Sequence, residues 1–227
     1  MSFKILYVTA TSVEAEVLKK TSGLQTIPGG YQTGTIEISV LVAGVGSIST
    51  AWAMQKWIAV NEKPDLVINS GIAGSFKDYL AIGDVVMPMS DCFADAGIED
   101  GNNFLTLAEA GLISDNEFPF SNGLILADPR YTLQMKSILI PVRAITVNTV
   151  TGSESTRDKL VRKYNPDIET MEGATFFYIC SREKIPFLAI RAISNRVDLR
   201  KKSNWKIKLA LDNLSEKLNE VIIKLKL

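Results

Sequence analysis

The chain has 227 residues, 46% of them hydrophobic, and its 25 basic and 25 acidic side chains cancel to a formal net charge of zero. That balance leaves no basic stripe for a polyanion, so neither nucleic acid nor a membrane surface is an expected partner. With no histidine and only two cysteines, Cys92 and Cys180, the chain cannot build Ser-His-Asp or Cys-His catalysis, a His-ligated zinc site or a four-cysteine one.

The opening MSFKILYVTATSVEAEV lacks the long apolar region and small-residue cleavage site of a secretory signal. No run approaches the roughly 20 apolar residues of a membrane-spanning helix, and a cytoplasmic protein is expected. Strands are predicted over 3–10, 36–44, 65–71, 84–88, 142–149 and 186–194; most are near-continuous apolar runs, the pattern of a sheet covered on both faces. Helices are predicted over 47–61, 154–164 and 172–184, the last stopped by Pro186. Glycines and polar residues at 28–34 suggest a hairpin, and 95–124 reads as an irregular insertion. Near the C-terminus Ile207, Leu211, Leu214, Leu218, Ile222 and Leu225 recur every three or four residues, the stripe of a core-facing helix. Alternating strands and helices with no linker give an α/β fold in one domain, residues 1–227.

The candidate chemistry must come from carboxylates, Lys, Tyr, Cys or bound water. Glu172 stands at the mouth of an otherwise uncharged apolar helix and needs hydrogen-bond partners there. Thr11 and Glu14 have capping-box spacing, a sufficient structural task for Glu14; Glu16, two residues on, reads from position alone as a solvated acid. Gly44 and Gly46 make either a tight turn or a set of N–H groups facing a polar ligand. Gly71 and Gly74, where the 65–71 strand ends, permit a turn or a close backbone approach. Asn195 follows the last strand and offers both a donor and an acceptor.

Together, GVG (44–46), NSGIAG (69–74), GDVV (83–86), MEG (171–173) and RAISN (191–195) span nearly the whole chain. In this order they resemble the nucleoside phosphorylase and nucleosidase superfamily, and most of all its hydrolytic nucleosidases, which include methylthioadenosine/S-adenosylhomocysteine nucleosidases. ETMEG (169–173) and the Asn ending RAISN look closest to the futalosine hydrolases of menaquinone biosynthesis. The resemblance implies a three-layer α/β sandwich around a twisted mixed sheet, nucleoside phosphorylase-like, assembled as a homo-oligomer, often a dimer, with no metal or cofactor. It implies that Glu172 accepts hydrogen bonds from ribose hydroxyls and that a Glu at the first helix activates water. Counting to the Glu-Val pair puts that second role on Glu16. Gly71, Ile72, Ala73, Gly74, Val150, Thr151 and Met171 are the implied substrate-binding positions, with Phe93 or Phe118 to stack on the base and Arg130 as one receiver for a charged 5′ group.

Such chemistry needs no histidine. Cleaving an N-glycosidic bond passes through an oxocarbenium-like sugar that one carboxylate stabilises while another takes a proton from water. In the adenine-specific relatives an Asp closes the RAIS motif as an acid. Asn195 cannot act as an acid of that strength, but it matches a 6-oxopurine, donating to O6 and accepting from a protonated N7. Phosphorolysis wants an anion clamp, and the first arginine of the chain is Arg130. Methylthioadenosine cleavage, 6-oxopurine phosphorolysis and a non-catalytic nucleoside-binding module are the alternatives to futalosine hydrolysis.

Overall fold

The computed structural model describes residues 2–101, 103–198 and 202–225. Strand β1 (Phe3–Thr9) passes through a capped turn into α1 (Ser12–Ala15) and a 3-10 turn (Glu16–Lys20). A meander of β2 (Gln25–Ile27), β3 (Gly30–Thr33) and β4 (Ile36–Val42) leads to α2 (Ser47–Val60) and the long β5 (Leu66–Ser75). After β6 (Val85–Asp91) come two hairpins, β7 (Gly97–Asp100) with β8 (Asn103–Thr106) and β9 (Phe120–Ser121) with β10 (Leu124–Leu126). The chain then runs through α3 (Pro129–Met135), β11 (Ile140–Thr146), α4 (Glu154–Tyr164), β12 (Ile168–Thr170), α5 (Gly173–Arg182), β13 (Phe187–Arg196) and α6 (Ile207–Leu225).

Eleven strands share one mixed sheet, and β7 and β8 pair separately. β1 lies parallel between β4 and β5. The far half of β5 then pairs on both edges, parallel with β13 and antiparallel with β12. Because β13 also pairs with β6, β6 with β11 and β11 with β12, these four strands and this half of β5 close into a ring. A glycine-containing strand in a closed ring brings backbone and side chains from several elements to one place, and the carboxyl ends of parallel strands are where such sheets bind ligands.

Helices cover both faces, which is why β1 reads as a solid apolar run: Ile5, Leu6, Tyr7 and Val8 are all buried. On one face α2 and α5 pack Met54, Phe176 and Phe177 against Leu6, Val8, Val67 and Phe187. The Phe187 ring centroid lies 4.9 Å from that of Phe177 and 5.6 Å from that of Phe176, both edge-on. Truncating any of these rings to Ala would cost about 3–5 kcal/mol. On the other face α6 lays Leu214, Leu218 and Val221 over Tyr7, Ile68 and Ile190, giving three layers. Ile207 departs from the predicted stripe: it begins α6, where the helix has not yet met the sheet, and is exposed. The insertion at 95–124 is more regular than its glycines suggested, since it folds into the two hairpins. Among the described residues no helix is long and apolar enough to cross a membrane.

Candidate active site

A cavity of about 250 Å³ opens where the ends of β1, β5 and β13 meet β12 and the start of α5; Glu14, Glu169, Glu172 and Asn195 line it. Glu14 enters through its cap. The Glu14 amide donates to Thr11 Oγ1 (3.2 Å), and Glu14 Oε2 accepts from the Thr11 amide (3.0 Å) and hydroxyl (2.9 Å), so the capping box is present as spaced. The other oxygen does more. Oε1 accepts from the Ile72 amide of β5 at 3.2 Å, and a Cβ on Gly71 would stand 2.6 Å from it. Gly71 and Gly74 are thus not turn glycines. Both lie inside β5, and the absent side chain at 71 is the space that Glu14 fills.

Glu16 is not in the cavity. At about 100° per residue it lies some 200° around the helix from Glu14, and it forms a surface pair with Lys19 at 3.0 Å, its side chain 60% exposed. The expectation that placed the water-activating acid at Glu16 is therefore corrected: Glu14, whose cap seemed a complete account of it, is the acid that shares a cavity with Glu172.

Glu172 occupies the N-cap position of α5 without capping it. Its Oε1 reaches across to accept from the Gly46 amide at 2.8 Å, presented by a turn in which Gly44 and Gly46 hold φ of 89° and 88°. Only glycine adopts that backbone cheaply. Burial pushes the Glu172 carboxyl above the usual range, Gly46 and Arg191 pull it down, and nearby Glu14 adds to the upward push. Arg191 is wholly enclosed on β13, where Nη1 donates to the Asn69 and Ile190 carbonyls at 3.0 Å and Nη2 donates to Asn69 Oδ1. Burial lowers its pKa, and Glu172, Glu14 and Asp91 oppose that fall. Asp91 accepts from the Cys92 amide (2.8 Å) and Thr146 Oγ1 (3.0 Å) through one oxygen. Its other oxygen has no hydrogen-bond partner and abuts Gly173, where a Cβ would overlap it. Burial pushes Asp91 up to about 7.

At the other end of the cavity β13 carries a bulge. Ile193 pairs with Ala73 and Asn195 with Gly74, so Ser194 is the extra residue. Bulges re-aim side chains, and Asn195 lines the cavity, its Oδ1 accepting from Ser194 Oγ (2.8 Å) and its Nδ2 donating to the Arg196 carbonyl (2.9 Å). Ile72, Ala73, Gly74, Val150 and Met171 also line the cavity; Gly71 stands behind Glu14, and Thr151 stands behind Glu169. The expected aromatic walls are elsewhere: Phe93 lines a different cavity and Phe118 is exposed. Trp205, ahead of α6, is the aromatic at this cavity. Nothing in the sequence marked it, because it is brought there by the return of the chain towards β13, where the Lys206 amide donates to the Ser194 carbonyl. Glu169 lies within ETMEG, and no spacing or pattern in the sequence singles it out. Arg130 is held by Asp128 at the start of α3 and does not line the cavity. Among the described residues no three His, Cys, Asp or Glu side chains are grouped to hold a metal ion.

Comparison with known proteins follows the same outline. Residues 4–225 match the family described as the phosphorylase superfamily. A futalosine hydrolase of Acidothermus cellulolyticus is 33% identical over 94% of this chain and 88% of its own length. A 5′-methylthioadenosine/S-adenosylhomocysteine nucleosidase of Buchnera aphidicola is 27% identical over 91% of this chain and 86% of its own. Among solved structures, a Helicobacter pylori 5′-methylthioadenosine/S-adenosylhomocysteine nucleosidase superposes with a TM-score of 0.81 at 17% identity, covering 99% of this chain and 100% of that one. The native futalosine hydrolase of the same organism gives 0.78 at 16%, covering 97% of each. At such identities the structural likeness is one of fold.

Proposed function

Because the chain belongs to the phosphorylase superfamily, we propose that its cavity hydrolyses the N-glycosidic bond of a purine nucleoside whose base is a 6-oxopurine, with futalosine as the substrate and menaquinone biosynthesis as the setting. The observation that carries the reading is the convergence of Glu14 and Glu172. They lie far apart in sequence, are each held by a backbone N–H, and open onto one cavity that ends at Asn195.

Each residue then has a defined task. Glu172 accepts from the ribose hydroxyls and stabilises positive charge as it develops on the sugar, an interaction that strengthens in the transition state. Glu14 takes a proton from water as the water oxygen bonds to the anomeric carbon. The pair of electrons of the broken C–N bond passes to the purine, where Asn195 Nδ2 has a second N–H for O6. Gly71, Ile72, Ala73, Gly74, Val150 and Met171 shape the walls, and Thr151 holds Glu169. Water is favoured over phosphate as nucleophile because the glycine turn is already engaged. The Gly46 N–H that would greet an anion is donated to Glu172, and an anion placed there would face a carboxylate.

The same reading carries a homo-oligomer, with a dimer favoured. Val45 lines the cavity and is exposed, as are Val13 nearby and Ile48 and Trp52 on α2, apolar surface of a kind that partners cover. The test of function is incubation of the purified protein with futalosine in phosphate-free, chelator-treated buffer. Hypoxanthine release is expected; strict dependence on phosphate would move the reading to phosphorolysis, and tight binding without base release to a non-catalytic module. The second reading, a methylthioadenosine/S-adenosylhomocysteine nucleosidase, draws on the relatives so named and requires faster cleavage of methylthioadenosine than of futalosine.

A further inference from the structure

Glu169 is a third buried carboxylate in the cavity, and the hydrolysis proposed above gives it no task. It is 6% exposed. One oxygen accepts from the Thr151 amide at 3.0 Å and the other from the Thr151 hydroxyl. Pinning the 150–151 backbone is a complete structural explanation only if the charge is incidental. Burying a carboxylate carries a penalty, evident in the upward push that burial gives the Glu169 pKa, with the two Thr151 donors opposing it and Asp95 adding to it.

The register shows what the carboxylate faces. Glu169 of β12 and Asn195 of β13 both pair with Gly74, one on each side of β5. Two inter-strand steps put their Cα atoms about 10 Å apart. Between them Gly74 has no side chain, and the place of its Cβ is taken by Val197 Cγ2, 2.8 Å away, and Asn195 Nδ2, 3.2 Å away. Both side chains line one cavity, and a spacing of about 10 Å between their Cα atoms suits a planar base with one hydrogen-bonding group towards each end of its edge. Asn195 presents both a donor and an acceptor. Glu169, with both of its present bonds accepted from Thr151, keeps a free lone pair on each oxygen and, ionised, can only accept.

We infer that Glu169 is a specificity-determining residue: its carboxylate accepts a hydrogen bond from the ring N1–H beside the 6-oxo group, so that Glu169 and Asn195 together select a 6-oxopurine over a 6-aminopurine. A 6-oxopurine presents N1–H as a donor, whereas a 6-aminopurine presents a bare N1 lone pair. That lone pair would meet a buried negative charge with no proton between them, and buried polar mismatches of this kind discriminate strongly. Thr151, which holds the carboxylate through two donors, acts as its positioning residue.

The inference rests on the assignment of Asn195 to the base, and the test separates the two. Cleavage of inosine-type and adenosine-type nucleosides sharing one 5′ group is compared for wild type and Glu169→Gln, whose carbonyl can still accept from Thr151 while its amide now donates. Wild type should prefer the 6-oxo substrate, and the variant should lower the 6-oxo to 6-amino ratio of kcat/KM by roughly 100-fold. A loop-pinning residue would change both substrates alike, so an unchanged ratio in a variant made from a 6-oxo-preferring wild type overturns the role of Glu169 alone. A wild type that prefers the 6-amino substrate overturns both readings. Where the variant is unfolded or inactive on both, inhibition of wild type by hypoxanthine and 1-methylhypoxanthine decides: the methylated base, lacking N1–H, should bind at least about 10-fold more weakly, and equal inhibition sinks the proposal.

Discussion

Two cavities of the described chain differ in size and in how their charges are held. Beneath the two hairpins between β6 and α3 lies a space of about 630 Å³, more than twice the volume of the carboxylate cavity. Two of its charges, Lys163 and Glu109, are paired with each other: Lys163 Nζ donates to Glu109 Oε2 at 2.6 Å and to the Phe104 carbonyl at 2.9 Å. Glu109 also accepts from the Thr106 amide, and these donors, Lys163 first, hold its carboxyl down at about 2. In the smaller cavity the situation is reversed. Glu169 and Glu172 are pushed up by burial, and the one enclosed guanidinium among these groups, that of Arg191, bonds to carbonyl and amide oxygens instead of closing an ion pair. Acids whose charge is held in place but left uncompensated can still bind, take a proton or stabilise a cation; acids already neutralised at a surface cannot. Desolvated and oriented charge marks a site better than volume does.

The contrast is broken most directly by removing charge from the small cavity. Glu14→Gln and Glu172→Gln should each reduce turnover roughly 10²–10⁴-fold with an unchanged circular dichroism spectrum; wild-type rates in either variant would remove that acid from the reaction. Gly71→Ala tests the placement of Glu14 without touching its charge. The new methyl would stand 2.6 Å from Oε1, and displacement of the carboxylate by even 1 Å should lower kcat roughly 100-fold, whereas the same change at Gly123, a turn glycine with open space beside it, should affect stability and not rate.

Asp91 sharpens the electrostatic half of the contrast. Folded, it keeps its proton up to about pH 7; unfolded, it releases it near 3.8. Between those values the unfolded chain has lost a proton that the native chain retains, so stability should fall as pH rises from about 4 to 7, by at most about 4 kcal/mol. Asp91→Asn cannot ionise. Urea titrations across pH 4–8 should therefore show it gaining on wild type towards neutral pH, and parallel curves would mean that Asp91 is ionised in the fold. The smallest effects belong to the surface pairs. Lys163→Met at the large cavity and Glu16→Gln beside Lys19 should leave turnover unchanged and cost no more than about 1 kcal/mol each.

Most of the framework was legible in the chain itself. The helix predicted over 154–164 coincides with α4, the one over 47–61 runs a single residue past α2, and the strand at 3–10 is β1 with one residue over. These segments are long and strongly patterned, and periodicity reports them well. What escaped is short or non-local. β12 has three residues, too few to show a period, yet it carries Glu169 into the cavity. Trp205 is placed by the path of the chain after β13. The bulge at Ser194 is a property of the pairing between β13 and β5, and one strand read alone cannot reveal it.

Glu14 and Glu16 show where the boundary falls. The sequence by itself determined that histidine takes no part in any acid–base work, since none is present, and the family resemblance placed a carboxylate at the first strand–helix turn. It also determined the cap that starts that turn. Which acid turns inward was decided only by tertiary structure, through the Ile72 amide 58 residues further along the chain and the missing side chain of Gly71 beside it. The reason is physical: a buried carboxylate settles where donors and empty space are supplied, and both came from another strand.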